Sequence, residues 1–239
     1  MQRLLVQAVL FDAVGTLFHL RAPVGEIYLE QARRYGFEAS DPELPVKLTR
    51  SFRAAFRAQG PLAFPDAPVD RIQELERAWW RSVVFRTFAP FGHPPDFENF
   101  FEHVFEMFRT GEAWRLDLDV RLVLPALRDK GLKIGLVTNY DSRVLDVLVA
   151  LGIRSLFDCV TISTLAGAAK PDPRIFAEAC AALSSLPSDA CHIGDDPEED
   201  WEGARQTGMH AILYDPSARY RDLDVPRLSR LADLLRILL

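Results

Sequence analysis

The segment VQAVLFDAVGTLF, residues 6–18, is an apolar run that ends on a single aspartate, Asp12. Its first six residues are apolar apart from one glutamine, which is typical of a strand buried in a parallel sheet. A carboxylate that follows such a strand lies at the carboxyl edge of the sheet, where open α/β folds bind their ligands. Val14, Gly15 and Thr16 follow within four residues. The segment therefore predicts a central strand that leads into a functional carboxylate.

From residue 112 onward the sequence alternates between short β-like runs and amphipathic segments of helical periodicity. This alternation predicts a βαβ series, and therefore an α/β fold with a doubly wound parallel sheet that the first strand joins. The predicted strands are LKIGLVT (132–138), LFDCVTI (156–162), ACHIG (190–194) and HAILY (210–214). The predicted helices are VRLVLPALRDKG (120–131), SRVLDVLVALG (142–152), PRIFAEACAALSS (173–185) and EEDWEGARQTG (198–208).

Residues 19–111 have a different pattern, because apolar residues recur there at helical spacing between proline-rich breaks. No strand alternation stands out in this part of the chain. We predict a helical block that is inserted after the first strand. Its clearest helices are VGEIYLEQARRYG (24–36), ELPVKLTRSFRAAFRAQG (43–60) and VDRIQELERAWWRSVVFRTFA (69–89).

Polar side chains follow three of the predicted strands at the point where each strand ends. They are Asp12, then Thr138 with Asn139, then Asp195 with Asp196. Because the carboxyl ends of parallel strands share one edge of a sheet, we expect these side chains to converge on one ligand site.

The acidic segment GDDPEED, residues 194–200, has two interpretations. Asp196 before Pro197 is typical of a helix N-cap, and the glutamates that follow favour the positive end of a helix. Asp195 instead ends an apolar strand, where its charge is costly without a cation. A Mg²⁺ ion, bound by one or two carboxylates, waters and a substrate phosphate, would offset that charge. A solvated loop is the alternative that the spacing leaves open.

The composition restricts the partners of the protein. The 239 residues carry a formal net charge of −6, which argues against a nucleic-acid partner. No stretch reaches the roughly 18 apolar residues of a membrane span, so we expect no membrane partner. Three cysteines without CxxC spacing favour a reducing compartment over a disulfide framework. We therefore expect a cytoplasmic protein.

Four motifs in order resemble those of the haloacid dehalogenase-like hydrolase superfamily. They are Asp12 with Gly15 and Thr16, then Thr138, then Lys170 before a predicted helix start, and then GDDPEED. The resemblance covers essentially the whole chain. It implies a Rossmann-like core domain of residues 1–18 and 112–239, with an α-helical cap domain of residues 19–111. The segments PVGEIY (23–28), KPDPRIF (170–176) and GARQTGMHA (203–211) are further similar to one subgroup of the family.

The resemblance implies a Mg²⁺-dependent phosphohydrolase that acts on a phosphorylated small molecule. Asp12 would be the nucleophile and would form an aspartyl-phosphate. Mg²⁺ would be held by Asp12, by Asp195 and by the backbone carbonyl of Val14. Lys170 would offset phosphoryl charge and position Asp12, and Asp200 would orient Lys170 or a metal-bound water.

The resemblance also implies which groups contact the substrate. Thr138 and the Asn139 amide would bind the transferring phosphoryl oxygens. Gly15 and Thr16, in the turn after the nucleophile, belong to the same substrate-binding motif.

Val14 departs from the pattern of the family's phosphatases, which usually have a second aspartate two residues after the nucleophile. That aspartate protonates the leaving alkoxide and then activates the hydrolytic water. Because the implied metal ligand at this position is a main-chain carbonyl, valine is compatible with the metal site. It lacks the general acid–base group, which is worth about 10²- to 10⁴-fold in rate. His19 is the nearest candidate for a substitute acid.

Three functional hypotheses are compatible with Val14. The first is a phosphohydrolase that favours good leaving groups, as a monomer or a homodimer. The second is a dehalogenase, because a halide leaves without a proton, although those relatives typically carry tyrosine at this position and lack the acidic fourth motif. The third is a non-catalytic relative that binds a phosphorylated ligand or partner, with Trp79 and Trp80 as a contact surface.

Overall fold

The computed structural model describes residues 4–238 of the protein. Its strands are β1 (Ala8–Phe11), β2 (Phe18–Leu20), β3 (Trp114–Leu116), β4 (Lys133–Thr138), β5 (Cys159–Ile162), β6 (Ala190–Gly194), β7 (His210–Tyr214) and β8 (Arg227–Leu228). Six of them form one parallel sheet in the order β5-β4-β1-β6-β7-β8, which confirms the predicted fold class. The remaining two, β2 and β3, are far apart in the sequence and pair with each other in a two-stranded antiparallel ribbon.

The ten α-helices of residues 4–238 include one within each of the seven predicted helical segments and three outside them. They are α1 (Val24–Arg33), α2 (Leu44–Gln59), α3 (Ile72–Phe88), α4 (Phe97–Met107), α5 (Val120–Asp129), α6 (Val144–Ala150), α7 (Ser163–Ala166), α8 (Pro173–Ala182), α9 (Gly203–Gln206) and α10 (Leu234–Leu238). One predicted helix differs, because its first part, Pro197–Glu202, is a turn of π-helix that continues into α9. None of the helices within residues 4–238 is long and apolar enough to cross a bilayer.

Strand β1 is apolar throughout because both of its faces are covered. Side chains of a strand alternate between the two faces of its sheet. Val9 and Phe11 pack into a hydrophobic cluster with residues of α5 and α6, whereas Ala8 and Leu10 pack into a second cluster with residues of α8. All four residues are fully buried. The unbroken apolar run thus reflects a central strand between two helical layers.

The order of the strands places their functional ends side by side. From β1 the chain runs to β4 and β5 on one side of the sheet, and then returns to β6 on the other side. Strand β1 therefore lies between β4 and β6, in register with both. The polar residues that follow these three strands meet at the position where the strand order reverses, which is the usual ligand position in such sheets.

Helices α1 to α4 lie together above this edge and enclose an aromatic core. The chain passes from the sheet to these helices through β2 and returns through β3, so the ribbon of β2 and β3 connects the two parts. The predicted boundary after residue 18 falls inside β2, in a region where we expected no strand. A three-residue strand is too short to show a period of two. We retain residues 19–111 as a proposed cap domain, with the ribbon of β2 and β3 at its base.

Candidate active site

Asp12 is the first residue after β1, and β6 holds it in place. Its backbone N–H donates to the Ile193 carbonyl at 2.8 Å, and the residue is only 6% exposed. One carboxylate oxygen, Oδ1, accepts a hydrogen bond from Lys170 Nζ at 2.7 Å. The other, Oδ2, is buried and has no partner within the described residues. A buried carboxylate oxygen without a partner is costly unless something binds it.

Lys170 bridges Asp12 to a second buried carboxylate. Its Nζ donates to Asp200 Oδ1 at 2.5 Å, and His192 Nε2 lies 3.0 Å from the same oxygen. The other Asp200 oxygen accepts the Asp196 backbone N–H at 3.0 Å. Because Lys170, His192 and the Asp196 N–H all contact its carboxylate, Asp200 is fixed in position and holds the lysine beside Asp12.

Two glycines permit the close approach of these carboxylates. A Cβ on Gly194 would lie 2.1 Å from the Asp200 Cγ, and a Cβ on Gly15 would lie 2.5 Å from the Asp195 Oδ1. Gly15 also has a φ of +102°, which other residues rarely adopt. Oxygens of Asp12, Asp195 and Asp200 consequently lie within 4.8 Å of one another.

Burial and neighbouring carboxylates together raise the pKa values of two acids in this cluster. Burial raises the pKa of Asp12 to about 7 and that of Asp195 to about 6, with the neighbouring carboxylates adding to the rise. Burial alone would lower the pKa of Lys170, but the charges of Asp12 and Asp200 outweigh it and raise that pKa. Lys170 is thus fully charged, and it does not neutralise the whole cluster.

The cluster fits a hard divalent cation. Carboxylate oxygens are the ligands that Mg²⁺ prefers, and it usually binds one or two of them together with substrate phosphate. Oxygens of Asp12 and Asp195 lie close enough to each other to share an ion. Arg219 is a neighbour that the sequence did not predict, since its guanidinium lies 3.3 Å from Asp195 Oδ2 and offsets part of the charge.

Thr138 and Asn139 lie beside Lys170 at the end of β4. The Thr138 hydroxyl accepts the backbone N–H of Tyr140 at 3.1 Å. The Asn139 side chain accepts the Lys170 N–H at 2.7 Å and donates to the Lys170 carbonyl at 3.0 Å. It also donates to Glu199 at 2.9 Å. The Asn139 side chain therefore fixes the loop that carries the lysine.

A cavity of about 390 Å³ opens above these residues, between the sheet and helices α1 to α4. Seven of the predicted site residues line it: Asp12, Val14, Thr138, Asn139, Lys170, Asp195 and Asp200. Gly15 and Thr16 do not, and Thr16 is fully buried with its hydroxyl unpartnered among the described residues. His19 is not part of the wall either, and its Nε2 lies 3.4 Å from Asp117.

The opposite wall of the cavity is aromatic, which the sequence patterns did not predict. Tyr28 of α1, Trp80 of α3 and Phe105 of α4 all contribute to it. Helical periodicity marks each of them as apolar-face residues, but not as residues of one common cavity. Trp79, the neighbour of Trp80, is buried in a separate cluster within the cap.

Asp196 is a helix cap in the structure, as the sequence predicts. Its Oδ1 accepts the backbone N–H groups of Glu198 and Glu199, both at 2.9 Å. We expect Asp196→Ala to lower the free energy of unfolding by about 0.5 to 2 kcal/mol, because both N–H groups lose their acceptor. Urea denaturation measures the loss, and Asp196→Asn, which retains the cap, is the control. An unchanged midpoint in the alanine variant would contradict the assignment.

Comparisons with known proteins connect this site to a hydrolase family. A family model described as haloacid dehalogenase-like hydrolase matches residues 6–208. The mouse haloacid dehalogenase-like hydrolase domain-containing protein 3 is 36% identical over 213 residues, which cover 88% of this chain and 82% of that protein. It belongs to the subgroup that the sequence segments resemble. The phosphoserine phosphatase of Thermus thermophilus is 33% identical over 133 residues, 55% of this chain and 53% of that protein.

Solved structures of both a phosphatase and a dehalogenase share the fold. The HAD phosphatase from Thermococcus onnurineus has a TM-score of 0.67 at 22% identity, and the alignment covers 97% of both chains. The L-2-haloacid dehalogenase from Xanthobacter autotrophicus has a TM-score of 0.70 at 20% identity, again over 97% of both chains. At these identities the likeness shows the fold and does not distinguish between the two reactions.

Proposed function

The chain belongs to the haloacid dehalogenase-like hydrolase family, and we propose that it is a Mg²⁺-dependent phosphohydrolase in which Asp12 becomes phosphorylated. One observation carries the proposal. Asp12 has one carboxylate oxygen held by Lys170 at 2.7 Å, while its other oxygen is buried without a partner among residues 4–238. A carboxylate fixed in this way has one oxygen positioned and the other available for bonding.

The first chemical step forms one bond and breaks one bond. An Asp12 oxygen forms a bond to phosphorus, and the bond between phosphorus and the leaving oxygen breaks, so that the leaving group departs with the electron pair. Lys170 offsets part of the phosphoryl charge, and the Thr138 hydroxyl and the backbone amide of Asn139 bind phosphoryl oxygens, since the Asn139 side-chain amide already donates to Lys170 and Glu199. Because Val14 has no proton to give, the leaving group departs as an anion.

The second step returns Asp12 to its free form. Water attacks phosphorus, the bond from phosphorus to Asp12 breaks with its electron pair on the Asp12 oxygen, and both protons of the water leave with the product as dihydrogen phosphate. Val14 offers no base for this water, so residue 14 gives this step no general-base help. Asp200 and His192 act on neither step directly, because their bonds hold Lys170 and each other in place.

Asp12, Asp195 and the backbone carbonyl of Val14 would hold the Mg²⁺ ion. When bound, the ion supplies positive charge next to the phosphoryl group. The raised pKa values of Asp12 and Asp195, caused first by burial, support this assignment because these carboxylates lack sufficient neighbouring positive charge.

We expect Mg²⁺ to raise the melting temperature of the protein, and Asp195→Asn to remove most of that rise. The amide keeps the shape of the carboxylate but loses the charge that attracts the cation. Thermal unfolding with and without MgCl₂ measures the effect. Asp196→Asn is the matched control, since it makes the same change at the adjacent residue and should retain the full Mg²⁺ response. A full response in Asp195→Asn would place the cation elsewhere.

The dehalogenase hypothesis retains one supporting observation, which is that Val14 lines the cavity in place of an acid. A halide ion departs without a proton. The three clustered carboxylates favour a cation and a phosphate instead. A substrate panel with and without Mg²⁺, including an aryl phosphate and a 2-haloacid, separates the two reactions. Haloacid turnover that needs no Mg²⁺ would support the dehalogenase, and no turnover at all would support a ligand-binding relative.

We propose a phosphorylated small molecule as the substrate, and a cytoplasmic location for the protein. The net charge of −6 disfavours nucleic acid as a partner. All three cysteines, Cys159, Cys180 and Cys191, are unpaired, which supports a reducing compartment. A monomer and a homodimer are both compatible with this site, because every proposed site residue comes from one chain.

A further inference from the structure

The cavity above Asp12 has two chemically different ends. Its floor carries the carboxylates, Lys170 and Thr138, whereas its upper wall is built from aromatic rings. These rings come from helices α1 to α4, from the residue after α4 and from β3: Tyr28, Phe56, Trp80, Phe105, Phe108 and Trp114. A volume of about 390 Å³ lies within the range of about 300 to 1,000 Å³ that small-molecule sites occupy. The cavity is therefore large enough for a ring-sized group attached to a phosphate on the floor.

Apart from the Tyr28 hydroxyl, which has no hydrogen bond within the described residues, the polar side-chain atoms of the upper wall are already used. The indole Nε1 of Trp80 donates to Asp141, and that of Trp114 donates to the Phe108 carbonyl at 3.0 Å. The Tyr140 hydroxyl donates to the same carbonyl at 3.2 Å. A sugar or polyol in this space would give up hydrogen bonds to water and find few replacements.

The cavity also has no spare positive charge for a second anionic group. Among the described residues, Arg143 and Lys170 are the basic side chains that line it. Arg143 forms two hydrogen bonds to Asp141, at 2.6 and 2.8 Å, and a third to the Phe105 carbonyl at 2.7 Å. Its guanidinium lies 3.7 Å from the centroid of the Phe105 ring. Lys170 is engaged by Asp12 and Asp200, so a substrate carboxylate or second phosphate meets no available cation.

The missing acid at Val14 restricts the leaving group independently. An alkoxide is a poor leaving group without a proton, whereas a phenolate or an aromatic carboxylate departs as a stabilised anion. Val14 is 36% exposed and lines the cavity, so an apolar side chain occupies the place from which a carboxyl group at residue 14 would protonate the leaving group. The apolar Val14 beside Asp12 and the aromatic wall of the cap thus select the same kind of substrate independently of each other.

We propose that the substrate is an aryl phosphate or an aromatic acyl phosphate, with one phosphate as its only anionic group and its ring held against Phe56 and Trp80 of the cap. This inference rests on the proposed phosphohydrolase function for its chemistry and on the aromatic wall for its selectivity. The phosphoryl group passes to Asp12, and the aromatic oxyanion leaves with the bonding electron pair and without a proton.

Benzoyl phosphate and acetyl phosphate provide the test, because both release a carboxylate of similar pKa and differ in the ring. With Mg²⁺ present, we expect kcat/KM for benzoyl phosphate to exceed that for acetyl phosphate by at least about tenfold, mainly through KM. Binding of phenylphosphonate and methylphosphonate, measured by titration calorimetry, gives the same comparison without hydrolysis. We expect phenylphosphonate to bind at least about tenfold more tightly.

Phe56→Ala should reduce both preferences, because it removes one ring of the wall. The residue is 37% exposed on α2, so the helix should tolerate the change. Phe85→Ala is the matched control. Phe85 is 42% exposed on α3, stacks on His93 at 3.9 Å and does not line the cavity, so both preferences should persist.

The outcomes separate this inference from the proposed function. Equal kcat/KM for the two acyl phosphates and equal binding of the two phosphonates would overturn the aromatic preference, while turnover itself would still support phosphohydrolysis. Preferential binding of phenylphosphonate without turnover of any phosphate would support the aromatic site and overturn the proposed hydrolysis. Loss of the preference in Phe85→Ala as well as in Phe56→Ala would overturn the assignment of the wall.

Discussion

Replacement of Val14 by aspartate should raise the turnover of alkyl phosphates by up to about 10²- to 10⁴-fold, which is the usual contribution of a positioned general acid. The side chain of residue 14 reaches the cavity next to Asp12, so a carboxyl group there would protonate the leaving alkoxide. The metal ligand proposed at this position is the backbone carbonyl, which the substitution retains. Steady-state hydrolysis of benzyl phosphate with Mg²⁺ measures the gain, because its ring suits the aromatic wall and its alkoxide needs a proton to leave.

Val14→Asn is the control for this substitution. It has nearly the same shape as the aspartate variant but carries no carboxyl proton. Turnover of aryl phosphates should change much less in Val14→Asp, because a phenolate needs little protonation to leave. An equal gain in the asparagine variant would show that polarity or space at residue 14, and not acid catalysis, limits the wild-type protein.

Asp12→Asn should reduce phosphate turnover to background, a loss on the order of 10⁴-fold or more, since the amide is not a nucleophile. The loss should be the same for aryl and acyl phosphates, and it should persist in the double variant with Val14→Asp. Residual turnover near the wild-type rate would exclude Asp12 as the phosphorylated residue.

The stability of Asp12→Asn separates loss of chemistry from loss of fold. Burial raises the pKa of Asp12 to about 7 in the folded protein, above its ordinary value of 3.8. The folded state therefore binds this proton more tightly than the unfolded chain, and deprotonation on going from pH 4 to pH 8 destabilises the fold. Without Mg²⁺ at pH 8, we expect the melting temperature of Asp12→Asn to be no lower than that of the wild type.

Three residues of the floor of the site could be predicted from the sequence because each lies at the end of an apolar strand. Asp12 and Asp195 come directly after apolar strands and Thr138 is the last residue of one, and parallel pairing brings such positions to one edge. In the sequence, Lys170 is marked only by the helix start that follows it, and the family resemblance identified it as a site residue. The α/β class followed from the same alternation of strands and helices.

The upper wall of the cavity could not be predicted in this way. Tyr28, Trp80 and Phe105 belong to three different helices, and each has the same apolar spacing as residues of the cap core. Only the packing of the helices decides which rings face the cavity. Arg219 lies in an irregular segment after β7, and no motif connects it to Asp195, which it approaches to 3.3 Å.

Detection of phosphate on Asp12 tests the account most directly. Because Val14 provides no base for the second step, the aspartyl-phosphate should form faster than it is hydrolysed when the leaving group is good. Rapid-quench kinetics with 4-nitrophenyl phosphate and Mg²⁺ should show a burst of about one nitrophenolate per protein molecule. Peptide mass spectrometry of the quenched protein should find one phosphoryl group on the peptide that contains Asp12, and none in Asp12→Asn. Steady turnover with no burst and an unmodified Asp12 peptide would contradict the account.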